Sequence, residues 1–366
     1  MRLLFWTNAY GAYLGGSEIW AQRFLKSLQA RGHDVCVIAA MDTRGVPRMQ
    51  DVEGIPVLEV PMAGYFEPGG ATPLRLTLQR VAEQIRAFAP DLVQVNNIAP
   101  GSLTLIRLLR GALPRRLLLT AHNIPVGSEP SAGAPLDGLA RSASTIVCFD
   151  SHVADWFTTR WPEIPATVVG HAIAGLDGPV IQIPPAAPLL FCGRMSPEKG
   201  ALSLAEAWVR IAPRVPHLRL IMVGDGPDRP AIEALISQHD LKSRVVFTGA
   251  LPPSQIAAWM DRCCAIVAPS TLEGFGLSVA EAAWRGRGAV AARVGGLAAN
   301  ITDGVTGLLV PPAAPDALAA ALLRIATEPG LAERLGNAAR KAIELRGDWA
   351  GHVDAFEALF NPVPVT

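Results

Sequence analysis

PSTLEGFGLSVAE, residues 269–281, follows a short apolar run at 264–268 that reads as a buried strand of a parallel sheet. It leads into a helical pattern through Leu277, Ala280, Ala283 and Trp284. Strand, glycine-bearing loop and helix thus follow in that order. The peptides of Gly274, Phe275 and Gly276 fall at the amino end of the helix, where free N–H groups and the positive end of the dipole favour an anion. A phosphate suits that position.

Glu273 precedes the helix and Glu281 lies inside it. With helical residues turning about 100° each, an all-helical spacing of eight would leave the two carboxylates about 80° apart around the helix. Because Glu273 is in the loop, they instead point into one cleft from different heights, which suits a ligand with two polar ends. A helix-end glutamate stabilised by the dipole, next to an unrelated solvated one, accounts for the same two residues. The pair alone leaves both accounts open.

The stretch resembles the E-x7-E signature of the family-four retaining glycosyltransferases, down to the Glu-Gly-Phe-Gly-Leu core and the closing Glu-Ala. The resemblance implies that Glu273 lies beside the donor sugar and that Glu281 binds the ribose of a sugar nucleotide. It also implies that Gly274, Phe275, Gly276 and Leu277 belong to the donor site.

Upstream, an α/β alternation starts afresh at residue 189. Strands are expected at 189–193, 218–223, 245–247, 289–292 and 308–310, with helices at 201–212, 230–238, 254–263 and 316–327. Directly after the first of these strands stands Gly193-Arg194-Met195-Ser196-Pro197-Glu198-Lys199-Gly200. It puts Arg194 and Lys199 at the carboxyl edge of the sheet. A guanidinium fork and an ammonium suit a diphosphate, although loop cations are commonly just solvated. The string G-R-x-x-x-E-K-G is similar to the family's phosphate-binding pattern. The turns Val223-Gly224-Asp225-Gly226-Pro227 and Val246-Phe247-Thr248-Gly249 occupy the places of the loops that shape the family's nucleotide pocket.

The first half opens with a strand, RLLFWT, a loop with Gly15 and Gly16, a helix over 18–31 and a strand over 35–39. This is the start of a doubly wound sheet, in which ligands collect outside the carboxyl ends of the strands. The loop is neither a dinucleotide G-x-G-x-x-G nor a Walker loop. It resembles the family's GG-x-E loop, whose peptides face the donor diphosphate. Further strands are expected at 92–95, 117–120 and 146–149, with a helix over 151–161. The second strand ends in Ala121-His122-Asn123, which places His122 at the mouth of the sheet. A capping or exposed histidine fits that place equally; the resemblance assigns His122 to the donor sugar near the reacting carbon. Residues 127–138, rich in glycine, proline and serine, are expected to form a mobile loop bordering the acceptor.

At 366 residues the chain is long enough for two cores. The resemblance implies the α/β architecture called GT-B, two Rossmann-like doubly wound domains facing across a cleft. Residues 1–170 form the acceptor-binding domain, 171–188 a hinge thick with glycine and proline, and 189–345 the nucleotide-sugar-binding domain. Residues 346–366 carry a C-terminal helix that crosses back to the first domain.

Hydrophobic residues make up 50% of the chain and charged ones 17%, a globular and not a disordered balance. Formal net charge is zero, so nothing global points to nucleic acid. Locally, seven arginines between Arg75 and Arg116 face only Glu83 and Asp91. A helical face with Arg107 and Arg110, near Leu103 and Ile106 and followed by Arg115 and Arg116, is a candidate for an anionic membrane surface or a lipid-diphosphate acceptor. A solvated face is the alternative. The five cysteines show no C-x-x-C spacing and mostly sit in apolar runs, as buried thiols do in a reducing compartment. No signal-like segment precedes the first strand, and no apolar run approaches the ~18 residues of a membrane span. The expected location is cytoplasmic, with room for a peripheral place at the inner face of the membrane.

Transfer from a nucleotide diphosphate sugar, with UDP or GDP as the base, builds negative charge on the leaving phosphate. Arg194, Lys199 and the helix dipole can offset it, and neither Asp-x-Asp nor a metal-ligand cluster is visible, so no metal or other cofactor is expected. The resemblance implies retention of configuration, with reaction on one face of the sugar and the leaving phosphate helping to deprotonate the acceptor. The arginine-rich region makes a lipid-linked sugar or polysaccharide precursor the expected acceptor, with a small soluble acceptor as the alternative. Three places depart from the family pattern. Gly170-His171-Ala172-Ile173 replaces Pro-Asn-Gly-Val, Gly288 replaces a proline, and Gly295-Gly296-Leu297-Ala298-Ala299 ends in alanines where Pro-Glu is common. The rival readings are a phosphorylase or epimerase on the same fold, which lacks its pyridoxal-phosphate lysine motif here, and a non-catalytic sugar-nucleotide-binding subunit.

Overall fold

The computed structural model describes the chain apart from residues 12–15, 42, 64, 66–69, 97–99, 123, 125–134, 173–180, 347 and 361–366. Gly15, most of the loop at 127–138 and the middle of the hinge lie outside the described residues. Contacts divide the chain into two compact units, Met1–His171 with Ala350–Thr366, and Ala172–Trp349.

Among the described residues, the first unit has strands β1 (Arg2–Thr7), β2 (Asp34–Met41), β3 (Arg48–Val52), β4 (Ile55–Pro61), β5 (Leu92–Asn96), β6 (Leu117–Ala121), β7 (Thr145–Cys148) and β8 (Ala166–Val168). They form one sheet in the order β3-β4-β2-β1-β5-β6-β7-β8, parallel throughout except for the β3–β4 hairpin at one edge. Helices α1 (Gly16–Ala30), α2 (Ala71–Phe88), α3 (Pro100–Leu108), α4 (Pro135–Ala140) and α5 (Ser151–Arg160) connect the strands. The central strands are buried on both faces, which is why β1 and β2 read as near-continuous apolar runs and not as an alternation, while β5 and β6 carry the buried polar residues Gln94, Asn96 and Thr120. The helix expected to present Arg107 and Arg110 together stops at Leu108, and Arg110 opens a separate 3-10 turn over Arg110–Ala112. Gly111 is a poor helix former, and Pro114 holds Leu113 in an extended conformation, so the turn cannot continue the helix.

The second unit is a six-stranded parallel sheet in the order β11-β10-β9-β12-β13-β14. Its strands are β9 (Leu189–Cys192), β10 (Leu220–Val223), β11 (Val245–Gly249), β12 (Ala265–Ala268), β13 (Gly288–Ala292) and β14 (Gly307–Val310). Its helices are α6 (Ala201–Ile211), α7 (Arg229–Gln238), α8 (Pro253–Arg262), α9 (Leu277–Trp284), α10 (Gly295–Asn300), α11 (Pro315–Thr327) and α12 (Leu331–Glu344). Strand alternation sends Leu189, Phe191, Leu220 and Met222 to a core with Trp208, Leu322 and Leu335. Leu190, Ile221 and Ile266 pack on the other face with Met260, Val279 and Leu297. Helix α13 (Trp349–Phe360) ends the described chain, and its residues from Ala350 on belong to the first unit. Two doubly wound parallel sheets, each with helices packed on it, place the carboxyl ends of β9, β12 and β13 at one edge of the second unit.

Candidate functional site

In the second unit, the loops after β9, β12 and β13 are fastened to one another mainly through backbone. Thr271 N donates to Glu198 O at 2.9 Å, joining the loop after β12 to that after β9. Gly200 lies so close to Pro269 that a Cβ added there would sit 2.2 Å from the Pro269 carbonyl oxygen, and its φ of +67° adds a second reason for glycine. On the other side, Gly296 N donates to Glu273 O at 3.0 Å, and Asn300 Nδ2 donates to Phe275 O at 2.7 Å. A Cβ on Gly296 would meet Gly274 O at 2.1 Å. The Gly295-Gly296 pair is thus the surface on which residues 273–276 are moulded, while Ala298 and Ala299 add no polar group.

This packing brings the expected donor residues together. Lys199 Nζ lies 2.8 Å from Glu273 Oε2, and Ser270 Oγ donates to the same oxygen at 3.3 Å. Gly274, Phe275 and Gly276 lead directly into α9, whose first residue is Leu277 and whose amino end has no side-chain cap. Its first-turn N–H groups form a ready anion site. Arg194 is exposed in the loop after β9 and has no ion-pair partner among the described residues. Glu198 in the same loop accepts from Ser196 Oγ at 2.6 Å, and that bond is the first cause of its lowered pKa. Glu281, within α9, lies near the end of β9: the Cys192 thiol is pushed up to about 12 by burial, with the Glu281 charge adding to it. The turn at 224–226 closes the edge, with Met195 N donating to Asp225 O at 2.9 Å and Gly224 N to Gly249 O at 2.8 Å.

In the first unit, Gly16 opens α1 and is exposed. His122 follows β6 directly. Its ring stacks on Phe149 with centroids 4.4 Å apart and 25° between planes, and meets the edge of Trp20 at 5.2 Å and 78°. Nε2 lies 2.7 Å from Asn96 Oδ1 at the end of the adjacent strand β5. Burial, and then the neighbouring His352, push the His122 pKa down to about 3, so the ring is neutral at working pH. His352 on α13 accepts from Trp20 Nε1 at 2.9 Å and bonds Gly170 O through Nδ1 at 2.8 Å. His171 also stacks on Phe149, with centroids 3.8 Å apart. Sequence reasoning passes over Asn96 and His352, and the one signal for Asn96 is a polar residue closing an apolar strand beside the strand of His122.

The four arginines expected to face a membrane divide. Arg107 and Arg115 are exposed, whereas Arg116 donates to the Phe360 carbonyl and Arg110 to the Pro114 carbonyl. Leu108, beside Arg107, is 54% exposed, which adds an apolar element to that face. No helix among the described residues is long and apolar enough to cross a membrane, and no group of three or more His, Cys, Asp or Glu residues among them could hold a metal ion.

Two family models match the chain: that of the glycosyl transferases group 1 over residues 187–328, and that of glycosyltransferase family 4 over residues 14–173. The glycogen synthase of Mycobacterium tuberculosis is 30% identical over 92% of this chain and 88% of its own length. The D-inositol 3-phosphate glycosyltransferase of Kribbella flavida is 39% identical, but the match spans only 41% of this chain and 38% of that protein. Among solved structures, Anabaena HepE in complex with UDP-glucose superposes with a TM-score of 0.76 at 20% identity, covering 98% of this chain and 99% of that one. The likeness is one of fold, the GT-B architecture.

Proposed function

The chain belongs to glycosyltransferase family 4, group 1, and from that premise we propose that it moves a hexosyl group from a UDP- or GDP-sugar to a lipid-linked or polysaccharide-precursor acceptor. The observation that carries this reading is the convergence of Lys199, Glu273, the uncapped amino end of α9 and the exposed Arg194 on one edge of the second sheet. That edge offers positive charge to a diphosphate and a fixed carboxylate to a sugar. Glu281 takes the ribose. Glu273, already bonded to Lys199, orients the sugar and stabilises charge, and does not attack the anomeric carbon. His122, held neutral, presents a ring nitrogen to the sugar near its reacting carbon, and Gly15 and Gly16 belong with the diphosphate.

As the glycosidic bond to the diphosphate breaks, positive charge grows at the anomeric carbon and negative charge on the leaving oxygen. Arg194, Lys199 and the α9 dipole offset the latter, so a divalent metal is not required. The acceptor hydroxyl enters on the face that the diphosphate leaves, its proton passes to the leaving phosphate, and configuration is retained. A reducing, cytoplasmic setting suits the five cysteines, all of them free. Exposed Arg107, with Leu108 beside it, and exposed Arg115 support a peripheral place on an anionic membrane.

The deciding experiment is a thermal-shift screen with UDP, UDP-glucose and GDP-mannose, with and without EDTA, on the wild type and Glu281→Ala. UDP-glucose comes first because HepE holds it. Ligand at about 100 times its Kd adds about 2.7 kcal/mol of stability, a readily visible rise in Tm. A rise from one nucleotide that survives EDTA and shrinks in the variant supports the reading. No rise from any of them sinks it.

A further inference from the structure

We propose that Asn96 is the positioning residue of His122: its carboxamide oxygen fixes which edge of the imidazole, and which tautomer, is presented to the donor sugar. The inference rests on the reading that His122 contacts that sugar. Asn96 is the last residue of β5, fully buried, and paired across the sheet with Thr120, two residues before His122. Two residues earlier on β5, Gln94 Nε2 donates to the same Thr120, at Oγ1 and 2.9 Å. Polar side chains of β5 therefore reach across to the strand that carries the histidine, at its carboxyl end. Such groups are costly to bury in a parallel sheet, the more so because Asn96 Nδ2 has no partner among the described residues. A buried amide left half unsatisfied needs an account beyond packing.

The ring contacts supply that account. Stacking on Phe149 and the edge of Trp20 fix the plane of the imidazole, but a half-turn about its bond to Cβ leaves both contacts nearly unchanged. That half-turn exchanges Nε2 with Cε1 and Nδ1 with Cδ2. Aromatic contacts cannot tell these edges apart. The 2.7 Å bond to Asn96 Oδ1 can, because only Nε2–H donates to it. With its pKa pushed down to about 3, the ring carries a single proton at working pH. A proton committed to Asn96 leaves Nδ1 as a lone pair, ready to accept from a sugar hydroxyl. An uncharged carbonyl is the suitable partner, since a carboxylate in its place draws the ring toward the imidazolium form.

The test uses the full chain with 15N-labelled histidine, the His122 signal being identified by its loss in His122→Ala. In the wild type, the nitrogen shifts are expected to report Nε2 protonated and Nδ1 bare. The Nδ1–H tautomer, or an average of the two, overturns the proposal. Asn96→Ala is expected to mix the tautomers and to lower kcat with UDP-glucose or GDP-mannose about tenfold, the loss of one buried hydrogen bond, while KM stays within about twofold. A folded Asn96→Ala protein with the wild-type shifts and kcat overturns it as well. Asn96→Asp keeps the acceptor and adds charge. It is expected to hold the tautomer, to raise the pH at which His122 titrates and to give the pH–rate profile a new acid limb; an unmoved titration counts against the proposal. If His122→Ala itself leaves turnover unchanged, the contact with the sugar falls, and the tautomer in the wild type still judges Asn96.

Discussion

Glu273 is restrained at both ends: its carboxylate by Lys199 and Ser270, and its carbonyl by the N–H of Gly296. A group held in this way is spared reorganisation when charge develops beside it. Glu273→Gln is therefore expected to lower kcat about 100-fold or more while UDP binds within about threefold of wild type. A parallel loss of UDP affinity, measured by calorimetry, contradicts that role. Gly296→Ala drives a methyl group to 2.1 Å from the Gly274 carbonyl oxygen. It is expected to cost about 1–3 kcal/mol in urea unfolding, the usual range for overpacking, and to weaken UDP binding through the displaced loop. At this scale the sequence shows Glu273, Lys199 and Glu281 plainly, because each sits in a recognisable local string. Asn96 and Asn300 were hidden because their partners, His122 and Phe275, lie 26 and 25 residues away and only sheet and loop packing bring them together.

Helix α13 is the element on which the ring cluster of the first unit leans. His352 and Phe356 pack on Trp20, Arg31 pairs with Asp354 and Glu357, and His33 Nε2 lies 2.7 Å from Glu357. His352, like His122, is buried as the neutral ring, and its pKa is pushed down to about 4 by burial, against the opposing effect of its bond to Gly170 O. In the unfolded chain both rings take up protons near pH 6.5, so between about 6.5 and 4 the unfolded state binds more protons than the folded one. Stability is full above that window and is expected to fall steadily as pH drops through it. His352→Phe keeps a ring but strands the Trp20 N–H. It is expected to lose about 1–3 kcal/mol at pH 7 and to show a shallower decline between pH 7 and pH 5 in urea titrations. A slope unchanged from wild type puts the acid sensitivity elsewhere. The helix is legible as a pattern, but its anchor is not, since the Trp20–His352 bond joins positions 332 residues apart. The face expected from Arg107 and Arg110 failed for a local reason, the glycine and proline that follow Leu108.

Over the whole molecule, each unit has its own sheet and its own core. Amide exchange is therefore expected to report UDP unevenly: protection over residues 193–200, 224–226 and 273–281, and little change in β1–β8. Equal protection in both units contradicts a nucleotide site built on the second. The restart at residue 189 is legible because strand and helix patterns begin again after a stretch without any. The β3–β4 hairpin, α2 and α12 carry no motif and add to what the sequence conveys. Because the first unit is completed by residues from Ala350 onward, the order of manufacture differs from the order of the chain. On the ribosome the second unit has all its parts while the first still shows Trp20, Phe24 and Phe149 without the helix that covers them. Nascent chains, and any product that stops short of α13, therefore present a sticky aromatic face, the part of this protein with most need of a chaperone.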